Sequence, residues 1–150
     1  CPKPNTAKAP TVISMMNTVR MVMAPSSTMT GADGLDRGSK PHPRAWGTYP
    51  RVLGKYVREE GVISLENAIH KMTQMPAEKF GIENRGLVKN GYYADLVMFD
   101  PDTVIDGATY ENPRVGPTGM PHVIVNGQIA VRDGRPAGTR SGRALRKGQK

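Results

Sequence analysis

A short run, Ser27-Thr28-Met29-Thr30, suits a β-strand and stops at Gly31-Ala32-Asp33-Gly34. The loop that follows is crowded with prolines, cations and aromatics: Lys40-Pro41-His42-Pro43-Arg44-Ala45-Trp46-Gly47-Thr48-Tyr49-Pro50-Arg51-Val52-Leu53-Gly54. That order presents a carboxylate at a strand's end. Glycines at 31 and 34 allow left-handed or crowded backbone that a side chain forbids, so Asp33 can be aimed at a close neighbour. An Asp between glycines also makes ordinary turns, and the rest of the chain has to decide between the two.

With 150 residues, 37% of them hydrophobic, there is room for one domain with a core or for parts of two. No apolar run approaches the roughly 18 residues that a membrane helix needs. A lone cysteine makes no internal disulfide and no cysteine-built zinc site. No apolar leader follows Cys1-Pro2-Lys3-Pro4-Asn5, which reads as a cytoplasmic protein, and an opening on Cys rather than Met reads as a piece of something longer.

The net charge of +8 invites a nucleic-acid reading, but residues 132–150 hold seven cations against Asp133 alone. That run carries six of the eight charges, has no aromatic to stack on bases, and is rich in Gly and Ser. A solvated, partly disordered basic tail over 137–150 is the expectation, with no nucleic-acid partner.

Met15, Val19, Val22 and Met23 recur at helical spacing and Pro25 closes that segment. Pro50 suits the first turn of a second helix with Val52, Leu53, Tyr56 and Val57 on one face and Gly61 at its end. Ser64 caps a third, carrying Leu65, Ala68, Ile69 and Met72; His70 beside this stripe reads as packed or solvated. Pro76 interrupts, and one more turn runs from Ala77 to Phe80 before Gly81. From Gly86 the texture changes to short strands at 87–88, 95–99, 122–125 and 128–131, with Asn126-Gly127 as a two-residue hairpin signal. Residues 102–121 form a long connection with Tyr110 as its one large apolar anchor.

Taken together, Gly31-Ala32-Asp33-Gly34, the stretch from Pro41 to Gly54, Gly91-Tyr92-Tyr93-Ala94-Asp95-Leu96-Val97-Met98-Phe99-Asp100-Pro101 and Val125-Asn126-Gly127 resemble the C-terminal third of the D-aminoacylases. These are N-acyl-D-amino-acid deacylases of the amidohydrolase superfamily, and the likeness runs from about Met15 to Arg146. The resemblance implies an α/β fold: the C-terminal portion of a metal-dependent-hydrolase (β/α)8 TIM barrel followed by strands of a small β-sandwich. Residues 1–85 would form the last β/α unit with its helices, 86–136 the sandwich strands, and 137–150 the tail. Asp33 would then stand at the end of the last barrel strand, residues 28–31, where barrel enzymes carry their catalytic groups.

The implied reaction is hydrolysis of the amide of an N-acyl-D-amino acid by a metal-activated water, with Asp33 as the catalytic base. Arg44 matches the family's clamp for the substrate α-carboxylate, a bidentate grip that can choose the face of the Cα. The cofactor implied is Zn, with main ligands missing from this chain and Asp33 at most a ligand to a second metal. Neither Cys1 nor His42 matches a family ligand. His42 between two prolines reads as structural, His122 as surface, and Arg51 as an ion-pair partner at the barrel mouth. The fragment alone is expected to be inactive and to need the missing N-terminal part of the barrel or another chain as a partner. Two alternatives stay open: a cyclic amidohydrolase acting on hydantoins or dihydropyrimidines, and a non-enzymatic basic binding module.

Overall fold

The computed structural model describes residues 12–146, with side chains from Thr18 onward. The first helix, α1, is Val12–Met23. Its last turn closes with the Ala24 N–H on the Arg20 carbonyl, 3.0 Å, and Pro25 cannot continue the ladder. The expected helix over 14–24 is therefore present. The expected strand over 28–31 is not: these residues are extended coil, with the Thr28 N–H turned back to the Pro25 carbonyl at 3.4 Å and the Thr30 N–H bonded sideways to the Lys71 carbonyl at 3.1 Å. A strand exists by pairing, and no described strand lies beside this segment.

The second helix, α2, starts at Arg44 and runs to Arg51, so Pro50 lies inside it rather than in a first turn. Pro50 has no N–H to give the preceding turn. The winding relaxes from Val52 to Glu59 into a π-helix, visible where the Glu60 N–H reaches the Lys55 carbonyl at 2.9 Å. Gly54, buried on this segment, lets the chain at Val104 and Ile105 approach so closely that an added Cβ would stand 2.5 Å from the Val104 carbonyl.

Helix α3 is Leu65–Met72, capped as expected by the Ser64 hydroxyl, which accepts from the Asn67 N–H at 3.2 Å. The break comes at Thr73 rather than Pro76, after which α4, Gln74–Phe80, ends on Gly81 in the left-handed conformation at φ 65°. Val52, Leu53, Ile63, Ala68 and Val104 form the buried core, with Met23, Phe99 and Met120 packed against it. Burial of each larger aliphatic there contributes about 1.5–3 kcal/mol. Helix α1, the π-helix, α3 and the 99–120 stretch thus share one core. Its anchor from the long connection is Val104, fully buried, whereas Tyr110, expected in that role, is exposed. The Val104 side chain has no polar atom to satisfy, whereas the Tyr110 phenol keeps its hydroxyl on the His42 ring at the surface.

The C-terminal part is one four-stranded antiparallel sheet in the order β1-β2-β3-β4: β1 Leu96–Met98, β2 His122–Val125, β3 Gln128–Arg132 and β4 Arg135–Pro136. Leu96 pairs with Ile124 and Val125 with Gln128. Asn126 and Gly127 take φ of 49° and 77°, as a two-residue hairpin requires. Asp133-Gly134 repeats the device at 50° and 72° and makes β4, which was not anticipated. The segment 87–88 is coil. Residues 137–143 run back along the sheet: the Thr139 hydroxyl donates to the Ile129 carbonyl at 2.7 Å, the Asn126 amide to the Ser141 carbonyl at 2.6 Å, and the Arg143 guanidinium lies 4.7 Å from the Tyr93 ring centre. Residues 147–150 of the expected tail lie outside the described residues. No described helix is long and apolar enough to cross a membrane.

Candidate active site

Asp33 projects from the loop after the extended segment, its side chain 90% exposed. The segment leading to it is held from beneath by Lys71, whose ammonium donates to the carbonyls of Pro25 and Thr28 and to the Thr28 hydroxyl. Of the left-handed or crowded backbone that glycines 31 and 34 allow, neither takes the left-handed form. What Gly34 supplies is space: an added Cβ would sit 2.5 Å from the Ala45 Cα, so the loop can turn directly against the start of α2.

That close approach brings Arg44 over Asp33. Its guanidinium Nη2 donates to Asp33 Oδ2 at 3.3 Å, with the Arg44 side chain 48% exposed. An exposed pair of this kind adds little to stability and exchanges readily with water or another anion. The backbone of Arg44 is held separately. His42 Nδ1 accepts the Arg44 N–H at 3.0 Å, which satisfies one of the orphan donors of the helix's first turn. The other ring nitrogen, Nε2, lies 3.0 Å from the Tyr110 hydroxyl. Both ring nitrogens are engaged within the chain.

Arg51 is an ion-pair partner, as expected: its Nε and Nη2 donate to Asp106 Oδ2 at 3.0 and 2.9 Å, with the carboxylate nearly buried. His122 stands at the sheet, 3.8 Å from Asp133, and His70 is half-buried on α3. Cys1 lies outside the described residues. Among the described residues no three His, Cys, Asp or Glu side chains gather to hold a metal ion, so they do not make a metal centre by themselves. Asp33 meets an arginine there, not histidines.

Lys71, Asp106 and Arg114 escaped the sequence reading. Lys71 had a signal, since it lies one turn after Ala68 in phase with the buried face of α3. Arg114 donates to Asp36 Oδ1 at 2.9 Å and to the Gly38 and Ser39 carbonyls at 2.8 and 3.1 Å, and nothing in Asn112-Pro113-Arg114 marks it for that.

A model of the amidohydrolase family matches residues 8–131. The chain belongs to the amidohydrolase family. It is 46% identical to a D-aminoacylase of Alcaligenes xylosoxydans xylosoxydans over 127 residues, 85% of this chain and 26% of that protein. A crystal structure of D-aminoacylase, described as defining a novel subset of amidohydrolases, superposes with a TM-score of 0.84 at 48% identity, over 87% of this chain and 28% of the other. An N-acyl-D-glutamate deacylase from Bordetella bronchiseptica, complexed with zinc and a phosphonate that mimics the tetrahedral intermediate, gives 0.74 at 44% identity over 80% of this chain and 26% of its own. The chain spans about a quarter of the length of the curated relatives it matches.

Proposed function

We propose that the whole protein of this amidohydrolase hydrolyses the amide of N-acyl-D-amino acids to a carboxylate and a free D-amino acid. The observation that carries the reading is the apposition of Asp33 and Arg44 at 3.3 Å at the mouth of an exposed loop. One group can move a proton and the other can hold a carboxylate, on a chain similar to D-aminoacylases along most of its length. Asp33 takes a proton from the attacking water and returns it to the leaving nitrogen, so the amide and one water become acid and amine. Arg44 exchanges Asp33 for the substrate's α-carboxylate, which fixes the face of the Cα presented to the attacking oxygen.

In this reading residues 1–85 belong to the last β/α unit of a barrel, 28–31 become its last strand once a neighbouring strand pairs with them, and the four-stranded sheet joins further strands in a sandwich. The exposed Met21, Val22 and Met29, and Val97 and Met98 on β1, are the surfaces such neighbours would cover. Zinc would need ligands beyond the described residues, with Asp33 adding at most one oxygen to a second site.

The test uses the full-length protein and N-acetyl-D-methionine. Asp33→Asn keeps the shape without the base and is expected to lower kcat by about a hundredfold or more. Arg44→Met is expected to raise KM and leave kcat closer to its normal value. Turnover confined to ring amides, or an Asp33→Asn enzyme as fast as the wild type, would overturn the proposal.

A further inference from the structure

Three side chains of the 102–121 connection, spaced four residues apart, reach back to the stretch that carries Arg44. Asp106 receives Arg51, Tyr110 meets His42 and Arg114 holds Asp36, across 55, 68 and 78 residues of chain respectively. Arg44 lies between these contacts, with the loop at 36–39 and His42 before it and Arg51 after it. We propose that this connection is a strap that sets the position of the Arg44 guanidinium, and with it the affinity for the substrate carboxylate and the preference for D over L. The inference rests on the reading of Arg44 as the carboxylate clamp.

Every residue from 31 to 40 is exposed, so side-chain packing does not place this loop. The fork of Arg114 does, through one carboxylate and two carbonyls. Tyr110 acts one step nearer. Because His42 Nδ1 accepts the Arg44 N–H, the neutral ring carries its proton on Nε2 and donates it to the Tyr110 oxygen. The rings meet edge to face at 5.1 Å and 75°, which fixes the imidazole's direction. Tyr110 is thus two hydrogen bonds from the backbone of Arg44.

The strap is itself anchored. Val104 is fully buried beneath it, and the Thr118 N–H closes on the Ile105 carbonyl at 3.0 Å. Between strap and α2 lies a cavity of about 480 Å³, lined by His42, Arg44, Arg51, Asp106 and Tyr110 among others, so a shift of the strap has open space to move Arg44 into. Displacement of a positioning group by about 1 Å can cost about a hundredfold in rate.

The experiment compares Tyr110→Phe combined with Arg114→Met against Arg44→Met in the full-length protein, on N-acetyl-D-methionine and its L enantiomer. Thermal midpoints are recorded for each variant. Tyr110→Phe removes one oxygen and leaves the ring in place, so it also serves singly should the double variant fold poorly. The strap variant is expected to raise KM by about tenfold, to hold kcat within about twofold, and to lower the D-to-L ratio of kcat/KM by about tenfold. Unchanged KM and D-to-L ratio beside a raised KM in Arg44→Met would overturn the strap and leave the clamp standing. A fall in kcat at constant KM would also overturn it, showing only general damage. Unchanged KM in Arg44→Met would overturn the clamp reading, and the strap with it.

Discussion

The Lys71 ammonium, on a residue only 4% exposed, donates to Thr28 twice, to the carbonyl at 2.8 Å and to the hydroxyl at 3.0 Å. Among the described residues no carboxylate pairs with it. The charge is solvated by oxygens of the chain in place of water, and the bonds pin the segment leading to Asp33 onto α3. A residue on the third helix thereby governs where a loop some forty positions earlier begins, as the 43-residue separation of this bond shows.

Lys71→Met should leave the Thr28 carbonyl without its donor and cost about 1–3 kcal/mol, read from denaturant unfolding. Amides around Thr30 should exchange faster with solvent. Burial lowers the Lys71 pKa below its usual 10.5. Between the lowered value and 10.5 the unfolded chain binds more protons than the folded one, so this group makes stability rise with pH across that interval. The Met variant should lack the rise; an unchanged alkaline slope would refute the assignment.

Gly34→Ala should push the start of α2 away from the loop, because the new Cβ meets backbone at 2.5 Å, and should cost about 1–3 kcal/mol. Gly31→Ala meets nothing within 4 Å among the described residues. Its stability should change by less than about 1 kcal/mol. Unfolding of the two variants side by side checks this, and equal losses would defeat the explanation through Ala45.

Asp100 holds the base of the strap. Its carboxylate accepts the Asp102 N–H at 2.9 Å and the Thr103 hydroxyl at 2.8 Å. The Asp102 amide first, then the Thr103 hydroxyl, hold its pKa below the ordinary 3.8, with Arg58 adding a smaller pull. With the folded value depressed, the turn's contribution is complete above 3.8 and is lost as pH falls through the folded pKa. A carbon-detected NMR titration should therefore find this carboxyl below the usual aspartate range, with the Asp102 amide shift moving in step. Asp100→Asn should abolish that transition.

Several features were legible because their causes are local. The Ser64 cap, the Gly81 stop and the Asn126-Gly127 hairpin each depend on residues within a few positions. The same local logic misjudged Pro50, because a helix that starts early can absorb a proline by relaxing into π winding. Over 28–31 it marks an extended segment that pairs with no described strand, since a strand needs a neighbour that no local pattern supplies. Asp33 and Arg44 were legible as residue types in a recognisable order, but their pairing was not.

The amino-acid order alone determined the helices, the turns, the sheet's first hairpin and the membership of the chain in the amidohydrolases. All of these rest on neighbouring residues or on a pattern read along the chain. Only the tertiary structure decided that Arg44 lies over Asp33, that Lys71 grips Thr28, and that Asp106, Tyr110 and Arg114 return to Arg51, His42 and Asp36. Such contacts depend on how the shared core of Val52, Leu53, Ile63, Ala68 and Val104 closes distant segments on one another, and burial of that core is a property of the whole fold.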